Sequence, residues 1–394
     1  MAPNLKGRLA RIRALGLVKA AELGEGRAAG PGAARKREPP GFLVGWERIG
    51  DLAWTRVLRY GSPLKGSLDP APFAPLRRGK PSHVENSERI DAERLRFFDL
   101  ETTGLSGGTG TLAFLAAVGR IEGEDFALTQ LFLEDFPGEG RLIEALLKLF
   151  GEGDVMVSYN GRAFDMPLLR TRCVMNTLVP PHLPHIDALF AARRLWKRVH
   201  GGASLGLLER GVLGVERGED LPGAMIPEAW LDFARTGDNP LMRLVLSHNA
   251  DDVLGLARLT ARIGAIFDDP RSRLARSDVD RAGLGRSLIA IGRAEEGEEL
   301  LEAAAGDGDA GAGLILSRRY RAARRTDDAL RVAAMLAPCY ASALEKAKLY
   351  ERLTGDFSEA ARWAEELVRL APGEAEREAA LRRLARIERR SALG

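Results

Sequence analysis

Short apolar runs recur along the middle of the chain, and their spacing predicts strands. The first run ends at Asp99 and Glu101. Residues 112–121 are apolar enough for a buried strand, and residues 126–136 alternate between apolar and polar as a half-buried strand does. The segment 122–125, Glu-Gly-Glu-Asp, is typical of a hairpin turn. The pattern therefore predicts three consecutive hairpin-connected strands.

Helices and short strands alternate after this hairpin. Apolar residues recur with helical spacing over residues 141–150 and 164–176, whereas residues 155–159 and 185–187 predict short buried strands. Further helices are predicted over residues 188–199, 205–209, 227–235 and 240–267. Hairpin-connected strands followed by alternating helix and strand predict an α/β fold, with a mixed sheet and helices on both faces.

Beyond Arg281 the pattern is Ala-rich and helical. Three loosely similar segments begin at Ala294, Thr326 and Asp356, close to the period of about 34 residues that helix-turn-helix repeats have. The tripeptide Leu-Ala-Pro ends two successive units. We therefore predict an all-α region of tetratricopeptide-like repeats, and such arrays mostly bind other proteins or pack on their own domain.

Composition separates the remaining parts of the chain. Residues 1–40 carry nine Lys or Arg and three Glu among many Gly, Ala and Pro residues, so we expect a basic, disordered N-terminal arm. Residues 41–90 predict short strands followed by a connector rich in Pro and Gly. The patterns described above then place the α/β domain at residues 91–268 and the helical region at residues 281–394.

The overall composition is that of a globular protein. The 394 residues are 45% hydrophobic and 29% charged, and a formal net charge of +3 does not by itself argue for a nucleic-acid partner. Cys173 and Cys339 match no metal-binding spacing, which favours a reducing compartment. No apolar run reaches the roughly 18 residues of a membrane span, and we find no signal-peptide pattern. We therefore expect a cytoplasmic protein with no membrane partner.

Asp99 and Glu101 form the first candidate site. Alternate residues of a strand share one face, so their carboxylates are expected to point into the same space. Two facing carboxylates repel each other unless a cation lies between them, and oxygen ligands suit hard divalent ions. On these residues alone, an acidic and solvated turn is an equally good interpretation.

Two later segments offer further ligands. Asp165 lies in the first turn of a predicted helix, directly after a short strand and a turn that contains Asn-Gly. It either complements the helix dipole or brings a third carboxylate beside Asp99. His248 and Asp252 are four residues apart and are therefore neighbours on one helix face. They form either a hydrogen bond at the surface or part of a functional site.

Three segments together resemble a known family. Asp-Leu-Glu-Thr-Thr-Gly (99–104), Tyr-Asn-Gly-Arg-Ala-Phe-Asp (159–165) and His-Asn-Ala-Asp-Asp (248–252) resemble the three exonuclease motifs of the DEDD superfamily. The Gly-rich segment 103–110 is similar to the YprB-type branch in particular. The resemblance covers roughly residues 90–267, and it implies a ribonuclease H-like fold and a metal-dependent 3′–5′ exonuclease.

The resemblance also implies a role for each matching residue. The expected ligands of two divalent metal ions, Mg²⁺ or Mn²⁺, are Asp99, Glu101, Asp165 and Asp252. His248 takes the position of the general base, although three residues separate it from Asp252, as in the branch that has tyrosine there; the histidine branch usually has four. Candidates for contacts with the substrate or with the metal ligands are Thr102, Asn160 and Asp187. A turn-forming Asn and a helix-capping Asp explain the last two equally well.

The predicted function is metal-dependent hydrolysis of phosphodiester bonds in single-stranded DNA or RNA. One alternative is a catalytically silent scaffold that binds nucleic acid and holds a protein partner through its helical repeats. Another is an endonuclease that cuts structured DNA within a strand. Basic residues that are candidates for phosphate contacts are Arg162, Arg193, Arg194 and Lys197.

Overall fold

A mixed seven-stranded sheet lies at the centre of the structure. The computed structural model describes residues 40–74, 88–104, 110–272 and 278–392. The strands of the sheet are β1 (Glu47–Arg48), β2 (Ala53–Gly61), β5 (Leu95–Thr102), β6 (Ala113–Glu122), β7 (Asp125–Leu133), β8 (Val155–Ser158) and β9 (His185–Asp187). Two short strands, β3 (Ser67–Leu68) and β4 (Ile90–Asp91), pair separately.

The strand order is β1-β2-β7-β6-β5-β8-β9. The pairs β1–β2, β2–β7, β7–β6 and β6–β5 are antiparallel, whereas β5–β8 and β8–β9 are parallel. The predicted hairpin-connected strands are β5, β6 and β7, and the predicted α/β class with a mixed sheet is confirmed.

The sheet also includes part of the segment 41–90, which the sequence pattern assigns to short strands and a connector. β2 pairs along its full length with β7, and β1 extends that edge. Trp54 of β2 is buried in the hydrophobic core, so this edge belongs to the body of the α/β domain. The predicted N-terminal arm spans residues 1–40, of which residues 1–39 lie outside the described residues, and residues 105–109 of the Gly-rich segment also lie outside them.

Helices cover both faces of the sheet. They are α1 (Glu139–Leu147), α2 (Asp165–Met175), α3 (Ala188–His200), the short α4 (Leu205–Leu208) with a π-helical turn at Glu209–Leu213, α5 (Ile226–Thr236) and α6 (Met242–Asp268). Phe98 and Leu100 of β5 pack with α1, α2 and α5. Leu95 and Phe97 point to the opposite face and pack with α3, as the two-residue period of a strand requires.

Helix α6 packs on both cores. Met242 and Val245 in its first turns belong to the core that contains Phe98. Residues from Ala250 onward belong to the core that contains Phe97. The segment 248–252 therefore lies where α6 passes from one core to the other.

The C-terminal part of the chain is helical. Its helices are α7 (Arg281–Ala290), α8 (Ala294–Gly306), α9 (Ala310–Ala322), α10 (Thr326–Ala334), α11 (Tyr340–Leu349), α12 (Phe357–Arg369) and α13 (Glu374–Ser391), and each packs on the next. Ala294 and Thr326 begin α8 and α10, and Asp356 caps α12. The predicted helical region is confirmed, and its assignment to tetratricopeptide-like repeats stays a prediction. None of the helices among the described residues has the length and apolarity needed to cross a membrane.

Helix α7 joins the helical region to the α/β domain. Leu284 and Leu288 of α7 lie in the same core as Phe97. The backbone of Gly283 approaches α3 so closely that a Cβ there would lie 2.0 Å from the carbonyl oxygen of Arg194. The helical region therefore begins inside a core that it shares with the sheet.

Gly119 of β6 makes room for an aromatic pair in this core. The rings of Phe97 and Phe126 meet edge to face, with centroids 5.7 Å apart. A Cβ at residue 119 would lie 2.2 Å from the ring of Phe126. Both rings are fully buried, so neither has solvent to move into. Glycine is the residue that fits here.

We expect Gly119→Ala to destabilise the protein by about 1–3 kcal/mol, because the added methyl group overpacks the core. Chemical denaturation of both proteins measures this difference as a lower transition midpoint. Gly61→Ala is the matched control, since Gly61 ends β2 and a Cβ there would meet no atom within 4 Å. Equal midpoints for Gly119→Ala and the wild type would contradict the packing argument.

Candidate active site

Asp99 and Glu101 lie at the end of β5, on the face that Phe97 also occupies. The register of β5 against β6 shifts between Glu101 and Thr102, so a bulge ends the regular pairing next to the carboxylates. Thr102 donates its hydroxyl hydrogen to the carbonyl of Gly104, with 2.9 Å between Oγ1 and O. The contact of Thr102 thus shapes the strand end.

Asp165 reaches the same strand end through the loop after β8. Asn160 adopts a φ of 68°, a left-handed conformation that asparagine tolerates better than most residues. At Gly161, a Cβ would lie 2.5 Å from Oγ of Ser158 and 2.8 Å from Oδ2 of Asp165. The close approach at Gly161 therefore lets α2 begin with Asp165 beside the end of β8.

Asp187 holds this loop in place from the end of β9, where it is buried. Its Oδ1 accepts hydrogen bonds from the backbone nitrogens of Asn160 (2.8 Å) and Leu189 (3.1 Å). Its Oδ2 accepts one from the backbone nitrogen of Arg162 (3.3 Å). A single carboxylate therefore caps α3 and fixes the loop that presents Asp165.

His248 and Asp252 face Glu101 from α6. One candidate ligand atom from each of these three residues lies within 4.8 Å of the other two. Nδ1 of His248 lies 2.6 Å from Oδ1 of Asp220, and its Nε2 lies 3.5 Å from Oδ2 of Asp252. Burial alone lowers the pKa of His248, but the charges of Asp252 and Asp220 outweigh burial and raise that pKa.

Asp99, Glu101 and Asp165 keep only part of their surface exposed, and the charge of Asp165 acts on both of the others. Burial, followed by the charges of Asp252 and Asp165, holds the pKa of Asp99 well above its ordinary value. Burial and then the charge of Asp99 likewise hold the pKa of Glu101 well above its ordinary value. Burial and then the charge of Asp187 raise the pKa of Asp165 to about 7. The cluster carries more negative charge than its surroundings neutralise, which favours a bound cation.

Arg217, between the π-helical turn and α5, pairs with Asp252. It also donates from Nε to Oε2 of the buried Glu209 (2.6 Å). Glu209 packs against α6 at Gly255, where a Cβ would lie 1.7 Å from its Oε1. The sequence patterns give Arg217 no role, and Glu209 enters only through the helix that resembles the YprB-type branch. The glycine in the middle of α6 is a local signal of this close approach.

A buried chain of hydrogen bonds orients Asp99. Asn249 donates from Nδ2 to Oδ2 of Asp99 (2.8 Å) and accepts at Oδ1 from Nε2 of Gln130 (2.9 Å). Gln130 in turn accepts at Oε1 from Nε of Arg56 (2.8 Å). Asn249 and Gln130 have no exposed surface, so these contacts fix both side chains. The sequence patterns do not predict these hydrogen bonds. A Gln in the mostly apolar run of β7 is nevertheless a local signal of a buried polar contact.

Two comparisons with known proteins bear on this geometry. A family model described as the RNase H superfamily matches residues 96–263, which run from β5 almost to the end of α6. The uncharacterized protein YprB of Bacillus subtilis (strain 168) is 32% identical over 330 residues, and the match covers 78% of each chain. The chain belongs to the YprB family. This YprB-family protein therefore has the ribonuclease H-like fold that the sequence predicts, and its superfamily indicates a nuclease with a nucleic acid as substrate.

The donor set of the YprB-family site fits a divalent metal ion. Carboxylate oxygens are the ligands that hard ions such as Mg²⁺ and Mn²⁺ prefer, and an imidazole is an acceptable neighbour. Glu101, His248 and Asp252 are close enough to share one ion. The pKa values of Asp99 and Asp165 are raised mainly by burial and further by the charge of Asp252, a repulsion that a cation would relieve.

We expect Asp99→Asn to stabilise the metal-free protein. The substitution removes one of the mutually repelling charges, and the new amide oxygen can still accept the hydrogen bond from Asn249. A gain of 1 kcal/mol corresponds to about 2–4 °C in Tm for a domain of 150–250 residues. Scanning calorimetry in a chelator should therefore show a Tm higher by about that amount, and added Mn²⁺ should raise the Tm of the wild type more than that of the variant.

The matched control is Asp327→Asn, which removes the same charge from an exposed position on α10. This control should keep the wild-type Tm and the wild-type response to Mn²⁺. A Tm for Asp99→Asn below that of the wild type in chelator would contradict the repulsion argument.

Proposed function

We propose that this YprB-family protein is a metal-dependent 3′–5′ exonuclease that hydrolyses phosphodiester bonds of single-stranded DNA or RNA. Two observations support the proposal: ligand atoms of Glu101, His248 and Asp252 lie within 4.8 Å of one another, and the charges of Asp165 and Asp252 act on Asp99, although these residues are far apart in the chain. A DEDD-type active site requires this convergence, whereas separate solvated or helix-capping acids do not.

The proposed ligands of two divalent ions, Mg²⁺ or Mn²⁺, are Asp99, Glu101, Asp165 and Asp252. Repulsion among these carboxylates is the cost that bound cations would remove. When bound, two such ions activate a water molecule and stabilise the attacking and leaving oxygens of an in-line displacement. Arg217 would hold Asp252 in position, and Asn249 would hold Asp99.

His248 is the proposed general base. An ionised Asp220 can only accept a hydrogen bond, so Nδ1 of His248 carries the proton in their 2.6 Å contact. The other nitrogen, Nε2, is then free to accept a proton, and it lies on the side of Asp252. The contact with Asp220 therefore supports His248 as the general base, although the spacing of His248 and Asp252 is that of the branch with tyrosine.

Three further residues would support the reaction. Thr102 and Asp187 are proposed to hold the strand end and the loop, since their contacts are to backbone atoms nearby. Asn160 is proposed to contact the substrate, because its side chain belongs to the loop that ends at Asp165. The helices from α8 onward are proposed to bind a protein partner, as helix-turn-helix arrays commonly do.

We expect the purified protein with Mn²⁺ to shorten 5′-labelled single strands of DNA or RNA from the 3′ end and to release mononucleotides. Asp165→Asn should lower the rate at least about 100-fold, because even residues that only support metal ligands often contribute 10–100-fold. A time course on denaturing gels measures both effects, with Asp327→Asn as the control that should retain full activity.

Each other pattern of products would identify a different function. Internal fragments from structured DNA, without mononucleotides, would support an endonuclease. Calorimetric uptake of Mn²⁺ without any product would support a silent scaffold. Immediate release of the labelled nucleotide would reverse the proposed polarity.

A further inference from the structure

A cavity of about 470 Å³ lies next to the loop that carries Asp165. Its wall includes Tyr159, Asn160, Arg193, Lys197, Ser204 and Leu205. Asn160 links the cavity to the candidate active site, since Asp187 holds its backbone nitrogen in the loop that leads to Asp165. Ligand-binding cavities commonly measure about 300–1,000 Å³, so this one is large enough for a nucleotide.

Helix α3 carries four Arg or Lys residues in two adjacent rows. The side chains of one row form hydrogen bonds to other parts of the protein. Arg194 donates from Nη1 to the carbonyl oxygen of Ala74 (2.8 Å). Arg198 donates from Nε to Oδ2 of Asp280 (2.8 Å). These two side chains therefore tie α3 to neighbouring segments and are not available to a ligand.

Arg193 and Lys197 form the adjacent row, and both are exposed and line the cavity. Within the described part of the chain, neither side chain has an ion-pair or hydrogen-bond partner. Residues four apart on a helix have Cβ atoms about 5–6 Å apart, so the two cations can act on one ligand or on adjacent groups of it.

An anion is the ligand that this pair would attract, and a phosphate chain fits the setting. The acidic cluster beside the cavity repels a phosphate backbone unless metal ions and nearby cations compensate. A net charge of +3 is too small to draw nucleic acid to the molecule as a whole. Local cations next to the site would therefore provide the attraction that the overall charge does not.

Tyr159 adds an aromatic surface to the cavity. Its hydroxyl donates to the carbonyl oxygen of Ala203, with 2.5 Å between the two oxygens, which restrains the ring. Bases of single strands stack on aromatic side chains whatever their sequence. A restrained ring can stack on a base while two neighbouring cations contact the phosphates of the same strand.

We propose that this cavity is a binding subsite for a single nucleic-acid strand, in which Arg193 and Lys197 bind phosphates and Tyr159 stacks on a base. The proposal rests on the proposed nuclease function and adds to it the place where the strand is held beside the acidic cluster.

The test is strand binding without hydrolysis. Fluorescence anisotropy in a chelator, with labelled 12-nucleotide oligo-dT and oligo-U, gives the affinity of the full-length protein as a function of salt. The double variant Arg193→Ala/Lys197→Ala should bind about 10-fold more weakly at 50 mM salt. The slope of log K against log salt should fall in magnitude by about 1.4, since each phosphate contact of a single strand contributes about 0.7.

The matched control is Lys148→Ala/Arg377→Ala, which removes two exposed charges at the end of α1 and on α13. This control should keep the wild-type slope. Equal slopes for both double variants would overturn the subsite, as would a wild type that binds neither strand.

A second pair of variants tests the aromatic surface. Tyr159→Leu keeps apolar bulk but loses the stacking surface, and we expect it to weaken binding about 10-fold. Tyr159→Phe keeps the ring and loses the hydroxyl, and we expect binding within about 2-fold of the wild type. Equal affinities for the two variants would contradict stacking.

Parallel hydrolysis assays separate failure of the subsite from failure of the proposed function. Wild-type hydrolysis together with an unchanged salt slope in the Arg193/Lys197 variant would overturn the subsite and leave the nuclease function intact. Loss of strand binding in that variant, with no hydrolysis by the wild type, would support the subsite and overturn the nuclease.

Discussion

Electrostatic repulsion among carboxylates that the backbone brings together is the constraint on which this structure depends. Asp99 and Glu101 share one face of β5, and the β8–α2 loop brings Asp165 beside them. Burial is the largest cause of the raised pKa of each of the three, and the charges of nearby carboxylates, among them Asp252, raise each pKa further. Such an arrangement persists only if the surrounding fold over-determines it. The hydrophobic cores on the two faces of the sheet supply that stability.

Polar contacts then hold the acidic side chains individually. Asn249 fixes the carboxylate of Asp99, Arg217 pairs with Asp252, and Asp187 fixes the loop that precedes Asp165. These three contacts come from different elements, so no single movement of the chain would release the whole cluster. A site held in this way is organised by the protein alone, so the proposed binding of a cation would require little rearrangement.

Local periodicity predicts β5, β8 and α6 because each is a well-defined apolar or amphipathic segment, and the motifs predict which acidic residues meet. Local patterns do not predict the pairing of β2 with β7, because this pairing joins residues that are far apart in the chain. Thr55 and Gln130, for example, are in contact although they are 75 positions apart. The roles of Gln130 and Arg217 are not predicted either, because the role of a single polar residue depends on its partner on another element. Arg193 and Arg194 are neighbours in sequence, and tertiary packing alone decides which one is used internally.

The shared core of α7 and the sheet has a consequence for how the protein is made. Leu284 and Leu288 leave the ribosome long after Phe97, with which they share that core. At about 5–20 residues per second, the interval is on the order of ten seconds or more. Until α7 emerges, the apolar surface of α3 that α7 covers remains open. The core around Phe97 is therefore completed only after the first helix of the helical region has been made.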